Sequence, residues 1–288
     1  DIFYDFLKIL KLNFDIIKIS ELNLNFKDKT NIKKIFITFD DGYENNLNIA
    51  APIIKSLGLN ATIFLSVNNV SSGERIPTFY IKAASKYLKS KKYDFDSISQ
   101  SLIMENEIEN QKKLKKIYSS FSINKIELFL KELKQFLGMD NLEQIYKIHS
   151  NDNIMNWDHV NKISQYNFEI ASHGLDHFIL NEHQKDDQLQ KQIYKSYDKI
   201  FEKFGYCNYF AYPNGGASDI SYKALKLVSE SNYKLAFTMW PTSIKYAKSN
   251  YLIPRISGNN HIDLKYEIYK SFISHKHYVN WYKNIFNN

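Results

Sequence analysis

Two pairs of residues could do chemistry by type and spacing. Asp40 and Asp41 stand side by side in IFITFDDGYENN, after a run that favours a strand (Ile35, Phe36, Ile37, Thr38, Phe39) and before Gly42, which marks a turn. Carboxylates at the mouth of a buried strand cost free energy unless a cation or a reaction uses them. His173 and His177 follow the apolar run FEIAS, in SHGLDH. Four residues apart, they would share one face of a helical turn, the spacing of zinc-binding histidine pairs. Two histidines and one carboxylate make a three-ligand site with open positions for water and substrate. In such a centre a zinc-type ion lowers the pKa of bound water from about 15.7 toward 7. The carboxylate left uncoordinated can then take the remaining proton, so one acid would bind and the other act as base.

Each pair alone has an ordinary explanation, since aspartates cap helices and HxxxH recurs by chance. Their placement at the ends of two different strands selects the metal reading. Sheets and barrels of βα units gather reactive groups at the carboxyl ends of their strands.

The elements that must position these groups follow from the hydrophobic pattern. Residues 1–30 read as a helix carrying Phe3, Phe6, Leu7 and Leu10, then the short extended piece FDIIKIS. From residue 35 strands and helices alternate: IFITF, a helix through Leu47, Ala51, Ile54 and Leu57 closed by Gly58, then ATIFLSV. FEIAS, YFAYP, KLAFTM and YLIPRIS follow as further strands, and residues 186–204 read as a helix burying Leu189, Ile193, Tyr197, Ile200 and Phe204, ended by Gly205. The repeat argues for a parallel sheet or a barrel of βα units within one domain spanning 1–288. Residues 71–150 break the rhythm with three charged helical patterns and no evident strand. They are expected to form a helical insertion in one βα connection, placed either over the site or on the outside of the barrel.

A chain of 288 residues with 44% hydrophobic content can bury a substantial core. The net charge of +7 would suit an anionic partner, but the lysines are spread in short pairs among acids, so a solvated basic surface is expected and no nucleic-acid groove. Cys207 is the only cysteine, which excludes an intrachain disulfide and a thiolate cluster. No apolar run reaches the roughly 18 to 20 residues that span a bilayer. The chain starts at Asp1, not methionine, so a preceding piece is expected. The compartment is left open, with a cytoplasmic or membrane-associated protein as the expectation.

TFDDG, SHGLDH and FAYPNGG, in this order, resemble the polysaccharide deacetylases of the NodB-homology type, carbohydrate esterase family four. The resemblance covers residues 35–72 and 154–257. It implies an α/β fold, a distorted, incomplete (β/α) barrel, and metal-dependent removal of N-acetyl groups from amino sugars of an envelope polysaccharide. It also implies Asp40 as general base, Asp41, His173 and His177 as ligands of a divalent metal with zinc the expected ion, and an oxyanion-holding backbone N–H near Asn214. Donors of that kind are typically worth about 3 to 4 kcal/mol of barrier.

Three departures stand out. The third motif has Ala211 where many relatives carry an arginine that holds the base; Arg255, in YLIPRIS, is the residue that could reach the same aspartate. Gly174 follows the first histidine in place of a serine or threonine. The family's acid-bearing leucine-any-histidine motif has no clear match, leaving His261, His275 and His277 as candidates without context. Trp157 is expected to open a helix, Trp240 to end a strand at the catalytic face, and His159 and His183 to lie on helix surfaces. The expected partner is an N-acetylated saccharide, with a membrane or lipid-linked glycan contact compatible with the basic surface. Two other classes stay open: a glycan-binding or scaffolding barrel without turnover, and a metal-dependent amidase acting on a small non-sugar amide, which a closed apolar pocket would favour.

Overall fold

A computed structural model describes residues 2–22, 34–88, 91–241, 247 and 249–258. Helix α1 (Ile2–Asn13) buries Leu7 and Leu10 and leads into β1 (Asp15–Ile16), which pairs parallel with β2 (Lys34–Ile35). Strand β3 (Thr38–Phe39) opens the main sheet. The expected continuous strand through IFITF is therefore two short pieces. The backbone changes partner midway: Ile35 O accepts from Ile17 N, whereas Ile37 O accepts from Thr62 N, both at 2.9 Å.

A π-helical turn and α2 (Ala51–Ser56) return the chain to β4 (Ala61–Leu65), all five residues of which are buried. After α3 (Val67–Ser72) come α4 (Pro77–Tyr87), β5 (Lys92–Phe95), β6 (Gln100–Ile103), α5 (Glu107–Ser119), α6 (Ile123–Leu137) and α7 (Met139–Ile148). The core then resumes with α8 (Trp157–Ser164), β7 (Phe168–Ser172), α9 (Asp186–Phe204), β8 (Tyr209–Ala211), α10 (Tyr222–Ser229) and β9 (Leu235–Phe237).

The main sheet has the order β3-β4-β7-β8-β9 with every pairing parallel. It curls into an open half-barrel, the α/β architecture expected. Both faces are buried, and the two-residue period of the strands sorts the side chains between them. Ile63, Leu65, Ile170, Phe210 and Ala236 join the large core under the helices, whereas Phe64, Ala171, Tyr209, Ala211 and Phe237 form a smaller cluster on the other face. Helix α9 covers the first face with Leu189, Ile193 and Ile200, packs Tyr197 and Phe204 at its margin, and ends at Gly205 in the left-handed region at φ 74°.

Three further expectations need correction. The 71–150 segment is not purely helical: β5 and β6 form an antiparallel hairpin, too short and too charged to stand out in the sequence, whose Phe95 is buried against Phe129. YLIPRIS makes a single bridge, Ile253 to Phe237, and no strand; Pro254, next along, has no N–H to continue a ladder. His183 lies in an exposed turn before α9, not on a helix. Among the described residues no helix is long and apolar enough to cross a membrane.

Cys207 is 1% exposed, and burial pushes its thiol well above the usual range. The thiolate is the reactive form, so native protein at pH 8 should resist iodoacetamide over hours and take up one carbamidomethyl group once unfolded in guanidinium. Rapid native labelling, read by intact mass, would contradict this packing.

Candidate metal and catalytic site

Strand β3 ends at Phe39 and delivers the two acids to its carboxyl end. Asp41 at φ 72° and Gly42 at φ 88° then turn the chain sharply. A side chain at Gly42 would press on Leu65 at 3.1 Å, so the glycine is required twice over, by space and by conformation. A left-handed aspartate is sparsely populated backbone that the surroundings must hold in place.

Two strands away, β7 ends at Ser172, and the amide of His173 extends the ladder by donating to Leu65 O at 2.8 Å. The histidines do not ride on a helical turn as their spacing suggested. Gly174 at φ 81° and His177 at φ 55° fold the segment into a loop that brings the rings to 4.9 Å centroid separation. The glycine that departs from the family pattern thus serves the loop, with Pro213 packed 3.4 Å from where its Cβ would be. His177 Nε2 lies 3.0 Å and His173 Nε2 3.4 Å from Asp41 Oδ1. The Nδ1 of His173 donates to the Ala211 carbonyl at 2.7 Å, which leaves Nε2 as the nitrogen facing the carboxylates.

Arg255 reaches Asp40 as anticipated. Its Nη1 and Nη2 hold the two carboxylate oxygens at 2.7 and 2.8 Å, a bidentate pair. Nη1 also donates to Thr38 Oγ1 and Nε to the Thr238 carbonyl, and the guanidinium lies over Phe64. At 6% exposure this arginine is a buried, fully engaged group. Burial alone would raise the Asp40 carboxyl, but Arg255 and then His173 outweigh it and hold Asp40 below the usual range. Asp41 is likewise depressed, by His177 and His173 against burial. The same carboxylates keep His173 above its usual value although burial pulls it down.

Asn214, at φ 59°, sits in the loop between β8 and α10 and lines the same cleft. The loop is tightly held: a Cβ at Gly215 would lie 2.8 Å from Met239 N, and Gly216 N donates to Asp219 Oδ2 at 3.0 Å. Asp219, which lines the cleft and whose carboxyl burial pushes upward, was not singled out in the sequence. Tyr43, whose hydroxyl is kept protonated by burial and by the Asp41 charge, was also missed.

The 71–150 segment forms part of this site. Ile81 and Lys82 of α4 and Lys115 and Tyr118 of α5 line a half-open cleft of about 460 Å³ above the acids and histidines. The segment also clamps the histidine loop: Phe178 and Ile179 insert into its core, Tyr118 OH donates to His177 O at 3.3 Å, and Asn181 Nδ2 donates to Ser119 O at 2.7 Å. Phe178→Ala is expected to cost about 3 to 5 kcal/mol and to weaken metal binding by loosening His177. Denaturant unfolding with and without metal would show both losses; an unchanged metal affinity would mean that the clamp does not position the ligand.

Asp41, His173 and His177 place one carboxylate oxygen and two imidazole nitrogens within 4.8 Å of one another. That donor set, with the cleft on its open side, fits a zinc-type ion. Trp157 opens α8 and packs on Phe204, with Nε1 donating to Ser71 Oγ, while His159 lies 3.4 Å from Glu44, so neither belongs to the site. Trp240 is partly buried beyond the end of β9, next to the cleft-lining Met239. His261, His275 and His277 lie outside the described residues.

Fold and site together define the class: an open parallel α/β barrel with paired carboxylates and histidines at its strand ends. The polysaccharide deacetylase family matches residues 27–236, and the chain belongs to it. Among curated proteins none matches the sequence. Of solved structures, the chain is similar to the deacetylase PplD of Streptococcus pyogenes in complex with acetate, with 14% identity, TM-score 0.54, and coverage of 94% of this chain and 84% of that one. It is similar also to IcaB from Ammonifex degensii, with 13% identity, TM-score 0.50, and coverage of 89% and 82%. The deacetylase domain of BpsB from Bordetella bronchiseptica matches with 13% identity, TM-score 0.50, and coverage of 87% and 82%. At these identities the likeness is one of fold.

Proposed function

We propose that the protein is a zinc-dependent hydrolase that removes N-linked acetyl groups from amino sugars of a bacterial-type surface polysaccharide or its lipid-linked precursor. Family membership supports deacetylation. The observation that carries the reading is the division of labour between the adjacent acids: Asp40 is gripped by Arg255, and Asp41 by two histidines.

Asp41, His173 and His177 would hold the ion, which supplies Lewis acidity, making water acidic near neutral pH and polarising an acyl oxygen. Asp40 stands beside this point, 3.8 Å from His173 Nε2, fixed in orientation by the guanidinium and able to take a proton from the attacking water. The backbone N–H of Asn214, in the loop that lines the cleft, would receive the developing oxyanion. Water adds to the acetamide carbon as Asp40 takes its proton, the C–N bond breaks as the leaving nitrogen takes a proton from solvent water, and the products are acetate and a free amine on the sugar.

The non-catalytic alternative drew on the missing arginine of the third motif and on the missing acid histidine; Arg255 reaches Asp40 from another segment, while the candidate histidines His261, His275 and His277 lie outside the described residues. A small-amide amidase fits less well, because the cleft is half-open and charged, not closed and apolar. Incubation with an N-acetylglucosamine tetramer and, separately, with acetanilide separates the readings. Acetate and free amine in equal amounts from the sugar alone is the expected result; release from acetanilide alone would overturn it.

A further inference from the structure

The cleft has two unlike walls. On one side Asp40 is matched by Arg255 and Asp41 by the two histidines, while Asp219, the third carboxylate of the lining, accepts from Gly216 N. The other wall, contributed by α4 and α5, presents Lys82 and Lys115. Three other lysines of the same segment pair with acids, Lys112 with Glu109, Lys113 with Glu105 and Lys134 with Glu74, at 2.7 to 3.0 Å, but what sets Lys82 and Lys115 apart is their place in the cleft lining. Among the described residues the ammonium groups of Lys82 and Lys115 make no such pair, and both side chains are exposed toward the cleft. Two unneutralised cations, on helices that pack against each other and line the same cleft as the acids and histidines, form a complementary surface for an anion on the bound saccharide.

We propose that Lys82 and Lys115 select saccharides that carry an acidic group, a phosphate ester or a carboxylate, beside the N-acetyl sugar. The inference rests on the deacetylase reading above and narrows its substrate class. A neutral glycan would leave both ammonium groups facing only water. An acidic one would gain two ion pairs that are sensitive to ionic strength.

The test compares three substrates: a neutral N-acetylglucosamine tetramer, the same tetramer bearing one sugar phosphate, and an alternating N-acetylglucosamine–glucuronate tetramer. Acetate release gives kcat/KM for the unaltered protein, for the double variant Lys82→Glu/Lys115→Glu and for Lys82→Arg/Lys115→Arg. At low salt the unaltered protein should prefer an acidic tetramer over the neutral one by about 10-fold, as two exposed ion pairs of ordinary strength would give. The preference should shrink in 0.5 M NaCl on the order of the screening expected, invert or vanish in the glutamate variant, and survive in the arginine variant. Whichever acidic tetramer shows the larger ratio identifies the group as phosphate or carboxylate. The same acidic-to-neutral ratio in the unaltered and glutamate proteins would overturn the inference. If no tetramer releases acetate, the deacetylase reading fails by itself, and calorimetric binding of the same three compounds then decides. Tighter acidic binding lost on charge reversal supports the selection; equal binding overturns it.

Discussion

Asp40→Asn is expected to bind zinc as the unaltered protein does and to release acetate about 10²- to 10⁴-fold more slowly, the usual contribution of a positioned general base. The separation of effects follows from geometry. The Asp40 carboxylate is committed to Arg255 through both oxygens, and the atoms grouped so that they could hold an ion belong to Asp41, His173 and His177. An asparagine preserves the shape and one acceptor but cannot take a proton at neutral pH. It also leaves a buried guanidinium without its counter-charge, and breaking such a pair commonly costs about 3 to 5 kcal/mol. Arg255 keeps its bonds to Thr38 and Thr238, which moderates the loss. Rates should therefore be compared at a temperature where circular dichroism shows both proteins folded. An Asp40→Asn protein that is folded, zinc-loaded and fully active would remove Asp40 from the role of base.

The second large effect is expected at the ligands. His177→Ala should weaken zinc binding by more than the roughly 10- to 100-fold that loss of an outer-shell partner costs, because it deletes a donor, and activity should fall with occupancy. Asp41→Asn should behave similarly, since a neutral amide oxygen replaces the one anionic donor of the set. In both variants Arg255 still holds Asp40, so excess zinc should recover part of the rate in His177→Ala and none in a double variant that also carries Asp40→Asn. Competition with a chromogenic chelator gives the affinities directly. Unchanged affinity in His177→Ala would place the ion elsewhere.

Much of this site was legible because motif residues sit at strand ends, where the α/β architecture constrains their position. Phe39 and Ser172 end strands that share β4 as a neighbour, so Asp40, Asp41 and His173 converge by topology. The loop that aligns His177 was not legible. The four-residue spacing suggested a helix, whereas the alignment depends on left-handed backbone at Gly174 and His177 and on Phe178 and Ile179 anchored in a distant segment. Arg255 could be nominated only as a lone cation; its pairing depends on a single bridge that places residue 253 beside β9. The 71–150 segment was recognisable as an interruption, but its hairpin and its contact with the cleft were not. Lys82, Lys115 and Tyr118 reach the site through packing between helices, and nothing in local spacing records that.

The most direct test of the central claim is acetate release from N-acetylglucosamine oligomers by protein first stripped of metal with a chelator, then assayed with and without one equivalent of zinc. The account predicts negligible release from the stripped protein and recovery on adding zinc, with one ion bound per chain. Undiminished release from protein shown to be metal-free would contradict it.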